Sequence, residues 1–194
     1  MKCPQFVKVN DKKYKINTDF RIAIECNEIA QDKNICDLER GLAIIYKLFG
    51  DKGIDNPQDY GKLLELAQKY LLCGKEYDVK NNEEPDMDYV EDMEYIEASF
   101  MSDFGIDLTN SDMDWWKFNK LINGLSNSEL GNCCVLNRIR NLRNLKLSDI
   151  KDHKEREKIR KLKEQFALKK TKKEKNLTKE QQESADELNK ILGL

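Results

Sequence analysis

Carboxylates are the most abundant groups in this sequence that could do chemistry, and between Glu83 and Asp114 twelve Asp and Glu stand without a single Lys or Arg. Asp86, Asp88, Glu91, Asp92, Glu94 and Glu97 fall close together there, so paired carboxylates or a divalent-cation site must be considered. The spacing is not that of a calcium loop, which needs oxygen ligands at alternate positions, a glycine at the turn and a closing glutamate. An acidic, exposed helix face is the simpler expectation.

The six cysteines, Cys3, Cys26, Cys36, Cys73, Cys133 and Cys134, are the next candidates, as nucleophiles or metal ligands. None forms a Cys-x-x-Cys knuckle with another, and the one histidine, His153, sits among Asp152, Lys154 and Glu155. A zinc site therefore lacks both ligands and spacing, and a nucleophilic Ser or Cys lacks a neighbouring base. Free cysteine otherwise behaves as a small hydrophobe, so buried or idle thiols are expected. The nine glycines are scattered singly, which leaves no loop whose amides could cradle a phosphate. The expectation is a chain without catalytic residues, metal or cofactor, and hence not an enzyme.

Lys146 to Lys175 carries thirteen bases against six acids. Such a run can displace counterions from phosphate, but Glu155, Glu157, Glu164 and Glu174 interrupt it and aromatics for base stacking are not interleaved. A solvated helix or a partner-binding arm fits better than nucleic acid. The whole chain has 194 residues, 36% of them charged and 39% hydrophobic, with a net charge of -2, which suits one domain plus a polar extension. The start, MKCPQFVKV, has no apolar core of a secretory signal, and no apolar run reaches the ~20 residues that cross a bilayer. A reducing, cytoplasmic compartment and no membrane partner are expected.

The elements that must position these groups read as mainly α: a helical bundle with a short N-terminal β-hairpin and an extended charged C-terminal helix. Phe6-Val7-Lys8-Val9 and Lys13-Tyr14-Lys15-Ile16 alternate around the polar turn Asn10-Asp11-Lys12. Helical spacing of apolar residues predicts helices over 18–31 (with Thr18 as N-cap), 35–49, 57–73, 88–104, one capped by Ser111 or Asp112 and running through 125, and one from 126–128 to 142. A thin apolar stripe of Ile159, Leu162, Phe166 and Leu168 runs through the charged segment, supported by Glu157 with Lys161 and Arg160 with Glu164. Thr178 and Gln181 have capping-box spacing before a last helix over 179–192. Four regions follow: 1–74, hairpin plus helices; 75–87, polar linker; 88–147, central helical unit; and 148–194, charged extension.

One stretch is distinctive. Ala98-Ser99-Phe100 is followed by Phe104-Gly105-Ile106-Asp107-Leu108, Trp115-Trp116-Lys117-Phe118, Ile122-Asn123-Gly124-Leu125 and Arg138-Ile139-Arg140. Adjacent tryptophans on a helix point about 100° apart, so one is expected inside and the other over the joining loop, unless they form a binding hot spot. This order of motifs, strongest over 89–147, resembles a tail assembly chaperone family from phages and prophages of Gram-positive bacteria, encoded between the major tail protein and the tape-measure protein. The resemblance implies a non-catalytic protein that binds and solubilises the tape-measure protein in the host bacterial cytoplasm and is not expected in the mature virion. It leaves the major tail protein, an upstream chaperone subunit and a homo-oligomer open as further partners. Phe104, Trp115, Trp116 and Phe118 are the expected protein-binding anchors. The alternative is a DNA-binding regulator of a phage or mobile element, in which the helix ending at Arg138-Ile139-Arg140-Asn141 enters a groove.

Overall fold

The computed structural model describes residues 2–32, 34–75, 85–127 and 133–169. The last expected helix, 179–192, and residues 76–84 of the expected linker lie outside them. The described residues are mainly α, with eight helices and one antiparallel two-stranded hairpin. The chain divides into two compact units, Met1–Glu84 with Ile96–Ser126, and Pro85–Tyr95 with Asn127–Leu194.

In the first unit β1 (Phe6–Val9) pairs with β2 (Lys12–Lys15) in a register that places Phe6 opposite Lys15 and Lys8 opposite Lys13. The turn residues Asn10 and Asp11 both have positive φ, 45° and 64°, which these two residue types tolerate best after glycine and which matches the twist of paired strands. Two strands alone are marginal in water, so the inward face must be anchored. Val9, Tyr14 and Ile16 are buried, Tyr14 meets Phe49 edge-on at 6.4 Å, and its hydroxyl donates to the Asp59 carboxylate at 2.6 Å. Asn10 and Asn56 donate to the same carboxylate, at 2.8 and 2.7 Å.

That carboxylate, 1% exposed, ties the hairpin turn to the turn at Pro57–Asp59, and the Tyr14 hydroxyl bond is the main cause of its lowered pKa. A carboxylate whose pKa is lower folded than unfolded adds stability that is fully present above the ordinary carboxylate range and is lost as pH falls through the lowered value. Asp59→Asn is therefore expected to lower Tm at neutral pH and to flatten the acid limb of a Tm-versus-pH curve. An unchanged acid limb in that variant would remove Asp59 from the account.

Helices α1 (Phe20–Gln31) and α2 (Asp37–Phe49) pack together, α3 (Asp51–Ile54) is one short turn, and α4 (Tyr60–Leu71) follows the Pro57–Asp59 turn. The N-cap of α1 is Asp19 rather than Thr18. Thr18 is still extended, because its carbonyl accepts the Trp115 N–H at 2.9 Å while Phe20 N–H reaches Met113 O at 3.1 Å. The same pairing keeps Asp114 extended, so α6 (Trp115–Asn123) begins two or three residues later than periodicity predicts, capped by the Asp114 carboxylate on Lys117 N–H. α5 (Met93–Phe104) likewise starts late. Asp88 holds the N–H groups of Val90 and Glu91 in a turn ahead of it, and Gly105, φ 64°, ends it.

The second unit contains the first turn of α5, α7 (Val135–Asn144) and α8 (His153–Phe166). α8 is capped by Asp152 and packs on α7; Phe166 meets Tyr95 at 6.4 Å, and Arg143 Nε donates to Phe166 O at 2.8 Å. Along α8, Glu157 pairs with Arg160 at 2.8 Å instead of with Lys161, and Arg160 also lies 3.9 Å from Glu164. No helix among the described residues is long and apolar enough to cross a membrane.

Candidate functional site

All four expected anchors lie in the first unit; Phe104, Trp115 and Phe118 share one ring cluster, whereas Trp116 stacks on Tyr70 at 6.4 Å. Phe118 stacks on Phe20 at 4.6 Å and on Phe100 at 5.3 Å, Trp115 stacks on Phe118 at 5.8 Å, and Phe104 meets Phe100 edge-on at 5.7 Å. α1, α5 and α6 each contribute to this cluster, which explains why the apolar residues of that stretch are so large. Both tryptophans are buried, and this corrects the expectation of one inside and one over the loop. The end of α4 offers two carbonyls side by side: Trp115 Nε1 donates to Leu71 O at 2.8 Å and Trp116 Nε1 to Tyr70 O at 3.0 Å. A buried indole needs such a partner, so each ring can be sunk without stranding its N–H. Trp115 is 2% exposed, Trp116 7% and Phe118 0%, so in this conformation they offer a partner almost no surface. Phe104, half-buried at the edge, is the member that a partner can touch.

Of the acidic residues grouped from Asp86 to Glu97, Asp86, Glu91 and Asp92 are engaged within the second unit. Asp92, 1% exposed, takes both terminal nitrogens of Arg143 at 2.7 Å, Asp86 pairs with Arg140 at 3.2 Å and accepts from Asn144, and Glu91 accepts the Lys169 N–H. No three metal-ligating side chains converge among the described residues. The arginines that a groove-reading helix would offer to DNA, Arg140 and Arg143, are the ones held by these carboxylates, while Arg138 is exposed. All six cysteines are free thiols; burial pushes Cys26 up to about 12 and Cys3 up to about 11, so both stay protonated and unreactive at neutral pH. His153 is exposed at the start of α8.

Sequence reasoning passed over a surface that the fold makes plain. A groove of about 670 Å³ runs between the hairpin, α1 and the end of α2, lined by Lys15, Ile16, Ile22, Tyr46, Lys47 and Phe49 among others. Leu38, Leu42 and Tyr46 follow one another at four-residue spacing on α2, and Leu38 and Tyr46 are 68% and 49% exposed. The signal in the sequence was a surplus, because eight apolar residues on a thirteen-residue helix are more than one buried face needs.

Comparison with curated proteins and with solved structures finds no match. The sequence model of the family described as Bacteriophage Gp15 protein matches residues 2–168, which takes in both units and every described residue up to Leu168. The chain therefore belongs to the bacteriophage Gp15 protein family.

Proposed function

We propose that this phage protein is a tail assembly chaperone, non-catalytic, that binds the tape-measure protein and keeps it soluble while the tail is built. The observation that carries the reading is the order of motifs from Ala98-Ser99-Phe100 through Trp115-Trp116-Lys117-Phe118 to Arg138-Ile139-Arg140, which resembles that of tail assembly chaperones of Gram-positive phages. The chemistry is compatible. A long, helix-rich partner with apolar stripes self-associates unless those stripes are covered, and a chain that is 36% charged lends its solubility to whatever it covers. The aromatic cluster acts as the rigid frame of such a binder, and Phe104 at its edge is the anchor within reach. Tail-tube subunits are a second partner of the same reading.

Co-expression with the tape-measure gene is the direct test. The tape-measure product is expected in the soluble fraction, co-purifying with this chain, and in inclusion bodies without it. An equally insoluble product in both cases, with no co-purification, would reject the proposal.

A further inference from the structure

The alternation of the hairpin sorts its side chains by face. Val9 and Tyr14 point inward, and Lys12 follows them toward Asp59, 3.7 Å away. The outer face carries Phe6, Lys8, Lys13 and Lys15, three ammonium groups and no carboxylate. Lys8 stands directly opposite Lys13, and like charges in that position destabilise a strand pair. Phe6 is 46% exposed, with the Lys13 ammonium 3.8 Å from its ring centroid. Lys15 is shared between this face and the groove, whose lining includes Tyr46, and from there the exposed Tyr46 and Leu38, with half-buried Leu42 between them, continue along α2. One surface thus runs from a basic, aromatic end through a groove of mixed lining, with Asn17, Lys47 and Asp51 beside Ile22 and Tyr46, to the apolar side chains of α2.

We propose that the outer hairpin face and the adjoining groove are one docking surface for a polypeptide segment that carries carboxylates beside large apolar side chains, in helical form along Tyr46, Leu42 and Leu38. It rests on the reading of this chain as a binder of other polypeptides. Charge selects the occupant. The unshielded lysines repel one another until carboxylates neutralise them, while the apolar row gains from any helix that covers it. Stability is sacrificed at Lys8 and Lys13 for recognition, a trade-off common at binding surfaces.

The probes are two synthetic amphipathic peptides with the same leucine row, one flanked by Glu and the other by Lys, titrated into the full chain. The Glu peptide is expected to bind about tenfold tighter or better, a preference that weakens with salt. Lys8→Ser, Lys13→Ser and Lys15→Ser together should abolish the preference, and Tyr46→Asp should weaken both peptides. Lys8→Glu adds a readout that a purely structural lysine would not give: Tm rises as the repulsion is relieved, while affinity for the Glu peptide falls. Equal binding of the two peptides, unchanged affinity in Lys8→Glu, or displacement of the Glu peptide by an oligothymidylate that the triple variant no longer binds would each overturn the proposal. The two readings fail separately. A triple variant that still solubilises the co-expressed tape measure as wild type does would sink this surface alone, whereas no solubilisation by the wild type would sink the chaperone reading.

Discussion

Phe118→Ala is expected to cost about 3–5 kcal/mol, the range for removing a fully buried aromatic ring from a core that cannot collapse into the space. Phe118 is 0% exposed and has ring faces against Phe20, Phe100 and Trp115, so truncation empties the centre of a four-ring stack drawn from α1, α5 and α6. Domains of this size are stable by about 5–15 kcal/mol, so the variant retains a fraction of its margin. Urea unfolding followed by tryptophan fluorescence is the suitable measurement, because of the chain's two tryptophans Trp115 is a member of this stack and Trp116 is buried beside it on α6. The midpoint should fall with the slope unchanged. Phe118→Leu keeps much of the volume but loses the stacked faces, and should recover the cavity share while forfeiting on the order of 1 kcal/mol per lost ring pair. A midpoint shift under about 1 kcal/mol in Phe118→Ala would mean that the stack does not hold these helices together.

Much of this arrangement was legible in the residues. The hairpin was readable from strict alternation around Asn10-Asp11, two residues that accept positive φ. Helices α1, α2, α4, α6 and α8 were readable as amphipathic periods, and the ends at Gly50 and Gly105 as positive-φ stops. What the sequence withheld was set by partners distant along the chain. Thr18 is a good N-cap by type, yet its carbonyl is taken by Trp115, 97 positions on, so capping passes to Asp19. Periodicity alone cannot see that bridge, and for the same reason it starts α6 too early.

The tryptophans teach the same lesson about the candidate site. Two indoles 100° apart on a helix face different directions, and a one-in, one-out assignment follows if a helix has one core face. α6 does better. The Tyr70 and Leu71 carbonyls at the end of α4 accept both indole N–H groups, which only the folded arrangement reveals. The groove beside Tyr46 was hidden for a different reason. Residues on α2 read as core by spacing, and only exposure separates Leu38 and Tyr46 from the buried Ile44, Ile45 and Leu48.

In the second unit Arg143→Ala should be the most damaging single change, at about 3–5 kcal/mol, because it leaves a buried carboxylate without its counter-charge. Asp92 is 1% exposed and Arg143 11%, and the guanidinium makes four bonds: two to Asp92 at 2.7 Å, one to Asp86 O and one to Phe166 O, both at 2.8 Å. One side chain on α7 thus holds the acidic turn ahead of α5 and the last residue of α8 together. A lysine has one nitrogen and cannot reproduce the fork, so Arg143→Lys should recover only part of the loss. Replacing both members, Arg143→Met with Asp92→Leu, removes the stranded charge and should be milder than Arg143→Ala, since an apolar pair of similar volume often matches a buried ion pair. Hydrogen exchange locates the damage. Amide protection should collapse in α7 and α8 while α1 and α2, which share no bond with Arg143, keep theirs. Uniform loss of protection across all four helices, or none in α8, would contradict a clamp that acts on the second unit alone.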